Sequence, residues 1–459
     1  MNEMTLQPVN EATGDGDFVP SQARVYKAEL SFFFVWLFTV AIYARPEDIA
    51  SSLGQFHLTF ALGFCAGLAY LGSFLLGKVS LLWPKELQIV LLLTCWYAAG
   101  VPFAFWRGGS FQMLIQVWSK TLFIFFLLTQ TVVTLERVRK LLWAVILSEL
   151  FVCTFAIVHP SSAIWVGDRM LGVNLGILGW NFLGIAAALA IPYIGAIYVT
   201  QPSFLKTSLL IASVLSLMWM LVLTASRSGV LNVIFSIALT SLLVLRGSSR
   251  GRFMGVGIAL LLILAVSLAP EVFWQRMRTV WSDSDVSPSE TASSARASES
   301  DRLAVLNRSI QYTLQNPLFG LGLGNLEVAS GTELGRPDAW LGAHNTFAQI
   351  SSEAGFPALV LFGALLWTTS RSMKRLGKTI VSGPESLELK LMARATLVSL
   401  LSFVFGAFFA HIAYEYFLFY PVAIGVGIQH IATTLPAVPA AATDQLTSIP
   451  HAPVADRSA

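Results

Sequence analysis

The chain has 459 residues, of which 55% are hydrophobic and only 12% are charged. Its mean hydropathy is +0.68, and because soluble domains carry about 25% charged residues, this composition excludes a soluble globular protein. The net charge of +3 is too small to indicate nucleic-acid binding, and we expect no nucleic-acid partner.

Apolar runs follow one another through most of the chain. A helix that crosses a bilayer needs roughly 17 to 25 predominantly apolar residues. About twelve runs of this kind predict an all-α protein, a polytopic transmembrane helical bundle. They lie near residues 29–44, 56–77, 87–105, 113–132, 141–158, 179–199, 207–224, 229–245, 253–269, 345–369, 393–410 and 417–433.

The spacing of these runs divides the chain into five segments. Residues 1–28 are predicted to form an N-terminal tail, 29–269 the first nine helices, 270–343 a long loop with short helices, 344–433 the last three helices, and 434–459 a disordered tail. Loops longer than roughly 15 residues are uncommon in compact proteins and are usually functional. The 270–343 loop is therefore the first place to look for chemistry.

The basic residues predict an orientation. With the N-terminus placed in the cytoplasm, eighteen Lys and Arg residues fall on the inner side, whereas the short outer loops hold only Arg45, Arg107, Arg169 and Arg227. Cytoplasmic loops are enriched in Lys and Arg, and long loops are excluded from this count. We therefore expect both termini in the cytoplasm and the 270–343 loop on the outer side.

A small set of basic side chains remains on this outer side: Arg169, Arg227, Arg302, Arg308 and His344. Guanidinium groups suit phosphate because their planar fork matches its oxygens. At an outer membrane face, the phosphate ligands are lipid headgroups and polyprenyl-diphosphate carriers.

Each of these arginines also has a structural interpretation. Arg227 could snorkel to lipid phosphate from a helical hairpin. Arg169 could pair with the neighbouring Asp168 on the surface. Arg302 lies in a segment whose apolar spacing is typical of an amphipathic helix on the membrane, where it would serve as an anchor.

His344 stands at the start of the tenth predicted span, where polar residues continue into the helix. Asn345, Gln349 and Glu353 are spaced to lie on one helical face. An ionised Glu near the centre of a span costs roughly 2.5 to 3.5 kcal/mol, so Glu353 needs a partner or a wet cavity. This pattern favours a functional role for His344 over a structural one.

Three other features carry predictions. Lys120 and Glu149 lie at similar depths in neighbouring spans and are predicted to form a structural ion pair. The turn at 411–416 could contribute to a sugar site, but its aromatic residues favour an interfacial belt. The glycines that alternate with leucine in 320–324 allow close packing, and we expect them to hold the loop against the bundle.

Several of these residues together resemble a known family. The segments are Asn316–Asn325 (NPLFGLGLGN), His344-Asn345, Glu353–Gly355, Ser226–Gly229 (SRSG) and Tyr43–Asp48 (YARPED). In order and spacing they are similar to members of the O-antigen ligase and O-antigen polymerase family. The resemblance extends over most of the chain.

The resemblance implies an activity and a site. The activity would be transfer of a glycan from a polyprenyl-diphosphate-linked donor to a hydroxyl of a glycan or lipid A core acceptor, with no metal or other cofactor. It would take place among membrane lipids at the periplasmic face of a bacterial inner membrane. Arg227 and Arg302 would hold the diphosphate and His344 would be the general base, with Arg296 and Arg308 as alternatives for the loop arginine.

We expect Arg169, Arg308, Asn345 and Glu353 to support these three residues in substrate binding. The sequence does not separate a ligase from a polymerase. The leading alternative is a transporter or flippase of a lipid-linked glycan, which would place ionisable groups along a pathway through the membrane. A third is a structural subunit whose outer loop docks another protein.

Overall fold

The computed structural model describes residues 28–49, 57–166, 169–172, 180–278, 290–335, 342–378 and 385–434. Eleven of the described helices are long and apolar enough to cross a membrane, and a shorter apolar helix, α1, precedes them. The predicted all-α bundle of about twelve helices is thereby confirmed.

The spanning helices are α1 Glu29–Ala44, α2 Leu58–Leu75, α3 Lys85–Gly100, α4 Arg107–Thr131, α5 Leu135–Val158, α6 Trp180–Thr200, α7 Phe204–Thr224, α8 Arg227–Leu245 and α9 Ser249–Ser267, followed after three shorter helices by α13 Thr346–Leu376, α14 Ser386–Ala407 and α15 Phe419–Thr434. The shorter helices between α9 and α13 are α10 Glu271–Arg278, α11 Glu290–Gln315 and α12 Leu326–Leu334. Within the described ranges, the only sheet is a two-stranded antiparallel hairpin of β1 Ile164–Val166 and β2 Arg169–Gly172.

Helix α6 lies at the centre of the bundle. It packs against α8 and α14, and 83% of its apolar window is buried inside the protein. Glycines make this packing close: a Cβ on Gly184 would lie 2.4 Å from the Cα of Gly229 in α8. Small residues of this kind let membrane helices approach backbone to backbone.

Taking each span as one crossing, the bundle has two ends. The end of α7 and the starts of α8 and α13 lie at one of them, together with α10, α11 and α12; we call this the site end. At the opposite end Arg139 of α5 donates two hydrogen bonds to Glu388 of α14, with Nε–Oε1 and Nη2–Oε2 distances of 2.7 and 2.5 Å. A bidentate pair of this geometry fixes both helices.

The predicted ion pair between Lys120 and Glu149 is wrong. Lys120 is exposed on the outside of the bundle, whereas Glu149 is buried and its Oε2 atom has no hydrogen-bond partner among the described residues. Hydropathy gives the depth of a residue in a span but not the side of the helix on which it lies, and here the two side chains point different ways.

Helix α13 is broken near its start, at Gly355. The backbone there has φ 79° and ψ 177°, and Pro357, which has no N–H to donate, follows two residues later. The carbonyl groups that the break frees accept hydrogen bonds from outside the helix: Ser352 from Leu321 N at 2.8 Å, Glu353 from Gly322 N at 2.8 Å and Ala354 from Trp96 Nε1 at 3.0 Å. Helix breaks at membrane depth persist only where neighbours satisfy the backbone in this way.

Replacing Gly355 by alanine should release the 316–325 segment from α13. A Cβ at this position would lie 1.9 Å from the carbonyl oxygen of Leu318, and the left-handed φ adds strain of about 1–3 kcal/mol. We expect amide hydrogen exchange in 316–325 to accelerate roughly 10- to 100-fold in detergent. Gly363→Ala in the same helix is the matched control, because a Cβ there meets nothing within 4 Å. Equal exchange in the two variants would contradict the prediction.

Candidate active site

Three arginines from three elements interact electrostatically at the site end. Arg227 is the first residue of α8, Arg276 lies on α10 and Arg302 on α11. Burial, with smaller contributions from the charges of Arg227 and Arg302, lowers the pKa of the Arg276 guanidinium to about 10. Because charge interactions weaken with distance and with solvent screening, this effect indicates that both side chains lie within electrostatic range of Arg276.

The start of α8 fixes the backbone at Arg227. Ala225 adopts a left-handed conformation that ends α7, and the Ser226 side chain caps α8 by accepting from Gly229 N at 3.2 Å. A serine in this position satisfies one of the free N–H groups of the first turn. The SRSG motif thus codes a tight helix-to-helix turn that presents its arginine at the bundle end.

His344 connects the arginine cluster to a second histidine. Its ring centroid lies 5.1 Å from that of His411, with the ring planes 83° apart. Burial, with smaller contributions from the charges of His411 and Arg302, lowers the pKa of the His344 imidazole to about 4. Within the described part of the chain, the buried Nδ1 atoms of both histidines have no hydrogen-bond partner. His344 is therefore neutral near pH 7, next to Arg302 and next to His411.

The turn that carries His411 is held by the first polar residues of α13. Thr346 Oγ1 donates to Ala410 O at 2.7 Å and accepts from Ile412 N at 3.2 Å, and Gln349 Oε1 accepts from Ala413 N at 3.2 Å. The interpretation of 411–416 as an interfacial aromatic belt is wrong, because Tyr414 is only 2% exposed and packs inside the bundle.

Glu353 has the partners that its depth requires. Its Oε2 accepts from Tyr414 Oη at 2.6 Å and from Gly324 N at 3.0 Å, and its Oε1 accepts from Leu326 N at 3.3 Å. One carboxylate thus ties together the His411 turn, the glycine-rich segment and the start of α12. These contacts give Glu353 a positioning role, and its predicted role in substrate binding stays a prediction.

The glycine-rich segment is pressed against α13, as predicted. Gly320, Gly322 and Gly324 all have left-handed φ values, of 64°, 95° and 68°. A Cβ on Gly320 would lie 2.4 Å from the carbonyl carbon of Glu353, and one on Gly322 would lie 2.3 Å from the Cβ of Ala104. Only glycine permits both this backbone conformation and this approach.

The other predicted substrate-binding residues are placed differently. Asn345 caps α13, with its Oδ1 accepting from the N–H groups of Phe347 and Ala348 at 3.0 Å each. Arg308 Nη1 donates to Ser330 Oγ of α12 at 2.6 Å, and the structure does not bring it into the arginine cluster. The side chains of Arg169 and Arg296 lie outside the described residues. The substrate-binding roles of these residues remain predictions.

Sequence reasoning passed over two members of the site. Arg276 is one of six arginines in the loop, and composition does not distinguish it from the others. The signal that could have identified it is its spacing of three residues from Phe273, because both side chains lie on the buried face of α10. His411 lay in a turn interpreted as a belt. Among the described residues, no group of three or more His, Cys, Asp or Glu side chains is placed to hold a metal ion.

A comparison with known families identifies the region that carries this geometry. Residues 211–363 match the family model described as O-antigen ligase. About a third of the chain is thus similar to the O-antigen ligase family. The resemblance predicted from the sequence is confirmed, and the family implies ligase- or polymerase-like glycan transfer in surface polysaccharide synthesis.

The O-antigen ligase match covers fewer residues than the resemblance seen in the sequence motifs. It contains Arg227, Arg276, Arg302 and His344, but not the 43–48 segment, and His411 follows it in the chain. No curated protein shows significant similarity to the chain.

Proposed function

We propose that the protein transfers a glycan from a polyprenyl diphosphate to an acceptor hydroxyl, on the lipid A core or on another glycan, at the periplasmic face of a bacterial inner membrane. The observation that carries this proposal is the convergence of Arg227, Arg276 and Arg302 next to a neutral His344. Three guanidinium groups at one place suit a diphosphate, and an imidazole beside them suits proton transfer. The family match supports the same class of reaction.

In the proposed reaction, the acceptor oxygen forms a bond to the anomeric carbon of the donor glycan while the bond from that carbon to the diphosphate oxygen breaks. His344 accepts the proton of the attacking hydroxyl and later releases it to solvent. The polyprenyl diphosphate leaves with one additional negative charge. Arg227, Arg276 and Arg302 stabilise this charge, and such preorganised groups are commonly the largest contribution to catalysis.

The position of His344 next to Arg302 couples donor binding to base strength. In the free protein burial lowers the pKa of His344 to about 4, with His411 and Arg302 contributing, and an imidazole with this pKa is a weak base. A bound diphosphate neutralises the arginine charge and adds negative charge nearby, which favours the imidazolium form. His344 thus becomes a stronger base only when the donor is in place.

The distribution of basic residues supports the proposed orientation. Eighteen Lys and Arg residues lie on the side opposite the site end or in the tails, against four in the short loops of the site end. This bias favours a cytoplasmic location for the opposite end and both termini. The site end then faces the periplasm, where glycans assembled on lipid carriers are available.

Transfer by the purified protein in detergent tests the proposal against the transporter alternative. We expect product from a polyprenyl-diphosphate-linked glycan, either with lipid A core added or with the donor itself as acceptor, and we expect it to persist in EDTA because guanidinium groups compensate the diphosphate charge. A transporter needs two compartments and would give no product. Absence of product with both acceptors, from protein that remains folded and binds undecaprenyl diphosphate, would refute the transferase.

A further inference from the structure

The outward face of helix α4 carries three polar side chains inside the membrane span. Gln112, Gln116 and Lys120 are spaced four residues apart, and all three are exposed on the outside of the bundle. Among the described residues, none of the three makes a hydrogen bond or an ion pair through its side chain. The large apolar residues that are exposed on the same helix are Phe111, Ile115 and Phe123. The polar side chains therefore lie on a surface that faces lipid.

A π-helical turn at Leu114–Trp118 aligns the polar side chains. In a regular α-helix, Gln112 and Lys120 would lie about 80° apart around the axis, and the extra residue in the wider turn reduces this angle to about 20°. The turn is held against α3, because Trp118 Nε1 donates to Thr94 Oγ1 at 2.9 Å. Turns of this kind inside α-helices are frequent at functional sites.

Lys120 lies near the middle of its span, which extends from Arg107 to Thr131. At 1.5 Å per residue, it is about 20 Å from the start of α4 and about 16 Å from its end. Lysines near helix ends reach the membrane surface by snorkelling, but a lysine at this depth needs a partner inside the membrane. Lipid phosphates lie at the surface, about 15 Å from the middle of the hydrocarbon, so a lipid headgroup does not supply this partner.

A second copy of this chain does not supply the partner either. A two-fold axis through the α4 face would bring Lys120 against its own equivalent, and like charges repel. Within the described spans, exposed carboxylates occur only in first helical turns at the opposite end of the bundle, at Glu29 and Glu136. Glu149 and Glu353, which lie deeper in their spans, are buried inside the protein. A complementary carboxylate therefore comes from a different protein.

Beyond Lys120, the same side of α4 borders an apolar cavity of about 260 Å³ between α4 and α2. The cavity begins at Phe123, one helical turn past Lys120, and its lining includes Leu71 and Phe74 of α2, both of which are exposed on the bundle surface. A helix lying along α4 would thus meet polar groups in the half of the span near the site end. In the other half it would meet a cavity that can take an apolar side chain.

We propose that this face of α4 is the docking site for a transmembrane helix of another membrane protein, which carries an Asp or Glu at mid-span to pair with Lys120. Polar side chains of that helix exchange hydrogen bonds with Gln112 and Gln116, as amide side chains do between membrane helices. One of its apolar side chains fills the cavity. The face begins beside the glycine-rich segment, where Phe105 N donates to Leu321 O at 2.8 Å, so the docked protein lies next to the site end.

Synthetic transmembrane peptides test the charge that this docking site requires. The probes are polyleucine helices of about 20 residues that differ only at the central position, which is Asp, Asn or Leu. Their association with the full-length protein in phosphatidylcholine vesicles is measured by energy transfer between fluorescent labels. We expect the Asp helix to bind roughly tenfold more tightly than the Leu helix, the effect of a hydrogen bond to a charged group, and the Asn helix about threefold more tightly. Equal binding of the Asp and Leu helices, or no binding of either, would overturn the proposal.

Lys120→Met removes the charge from an exposed position, so the fold should be unchanged. We expect this variant to lose the preference for the Asp helix, and Lys120→Arg to keep it. Lys85→Met is the matched control, because Lys85 is also exposed but begins α3 at the opposite end of the bundle. A preference that persists in Lys120→Met would contradict the pairing. Phosphatidylglycerol in the vesicles should leave the wild-type preference unchanged, and competition by this lipid that depends on Lys120 would assign the face to lipid instead of protein.

Discussion

Replacing His344 by alanine should reduce glycan transfer by roughly 10²- to 10⁴-fold, the usual contribution of a positioned general base. The affinity for undecaprenyl diphosphate should change little, because the three arginines remain. His344 has a left-handed φ of 47°, which alanine adopts poorly and asparagine adopts more readily. His344→Asn is therefore the matched variant, and it should lose as much activity while keeping the backbone conformation.

The pH dependence of the wild-type reaction separates a base from a structural histidine. Below its pKa the imidazole is protonated and cannot accept the hydroxyl proton. Since kcat/KM reports the free protein, it should fall as the pH drops through about 4, the pKa to which burial and the neighbouring charges lower His344. The fall in kcat should occur at higher pH, because the bound diphosphate favours the imidazolium form.

Three neighbours bear on this profile. Burial lowers the pKa of His411 and raises the pKa of Glu327, and Arg302 contributes a positive charge next to His344. His344→Asn should therefore abolish the acidic limb of the kcat/KM profile, which lies at about pH 4. His411→Asn should shift this limb without removing it. A limb at the ordinary histidine pKa, or one that survives in His344→Asn, would exclude His344 as the base.

The transmembrane helices were predictable because the bilayer imposes a length and a composition on each span. The polar stripe of α13 was also readable, since Glu353 at membrane depth had to have partners. The sequence does not predict which groups these partners are. They are the hydroxyl of Tyr414 and the backbone N–H groups of Gly324 and Leu326, all from other parts of the chain. Local sequence states the requirement for a partner, and tertiary packing decides which residue meets it.

The break in α13 shows the same limit. The run at 345–369 predicts one apolar helix, and Gly355 and Pro357 lie inside it as ordinary interruptions. In the structure they open the helix so that its carbonyl groups receive the glycine-rich segment. Arg276 and His411 were not predicted for a related reason. The positions of helix α10 and of the His411 turn depend on packing against elements that are distant in sequence.

Replacing Arg302 by glutamine should reduce transfer by roughly 10²- to 10³-fold, the typical loss when one group that stabilises transition-state charge is removed. Glutamine keeps the polar, extended shape but cannot grip phosphate bidentately. Arg302 is also the arginine that acts on both Arg276 and His344. We therefore expect a lower affinity for undecaprenyl diphosphate together with the loss in kcat.

Arg308→Gln is the matched control for this prediction. Arg308 lies on the same helix, α11, and is also partly buried, but its guanidinium donates to Ser330 instead of joining the cluster. Its replacement should lower transfer less than about threefold, in line with the small effect of most substitutions outside a site. Comparable losses in the two variants would mean that the total positive charge of α11, and not the interaction of Arg302 with Arg227 and Arg276, determines activity.

Arg302→Lys distinguishes charge from geometry. Lysine restores the positive charge as a point charge but not the planar fork. If Arg302 acts through bidentate binding, lysine should recover only part of the transfer that glutamine loses. Its charge should still keep the His344 limb in kcat/KM near the wild-type pH, whereas Arg302→Gln should move that limb to higher pH. Full recovery of transfer by lysine would reduce the role of Arg302 to electrostatics, and an unmoved limb in Arg302→Gln would place it too far from His344 for the coupling proposed above.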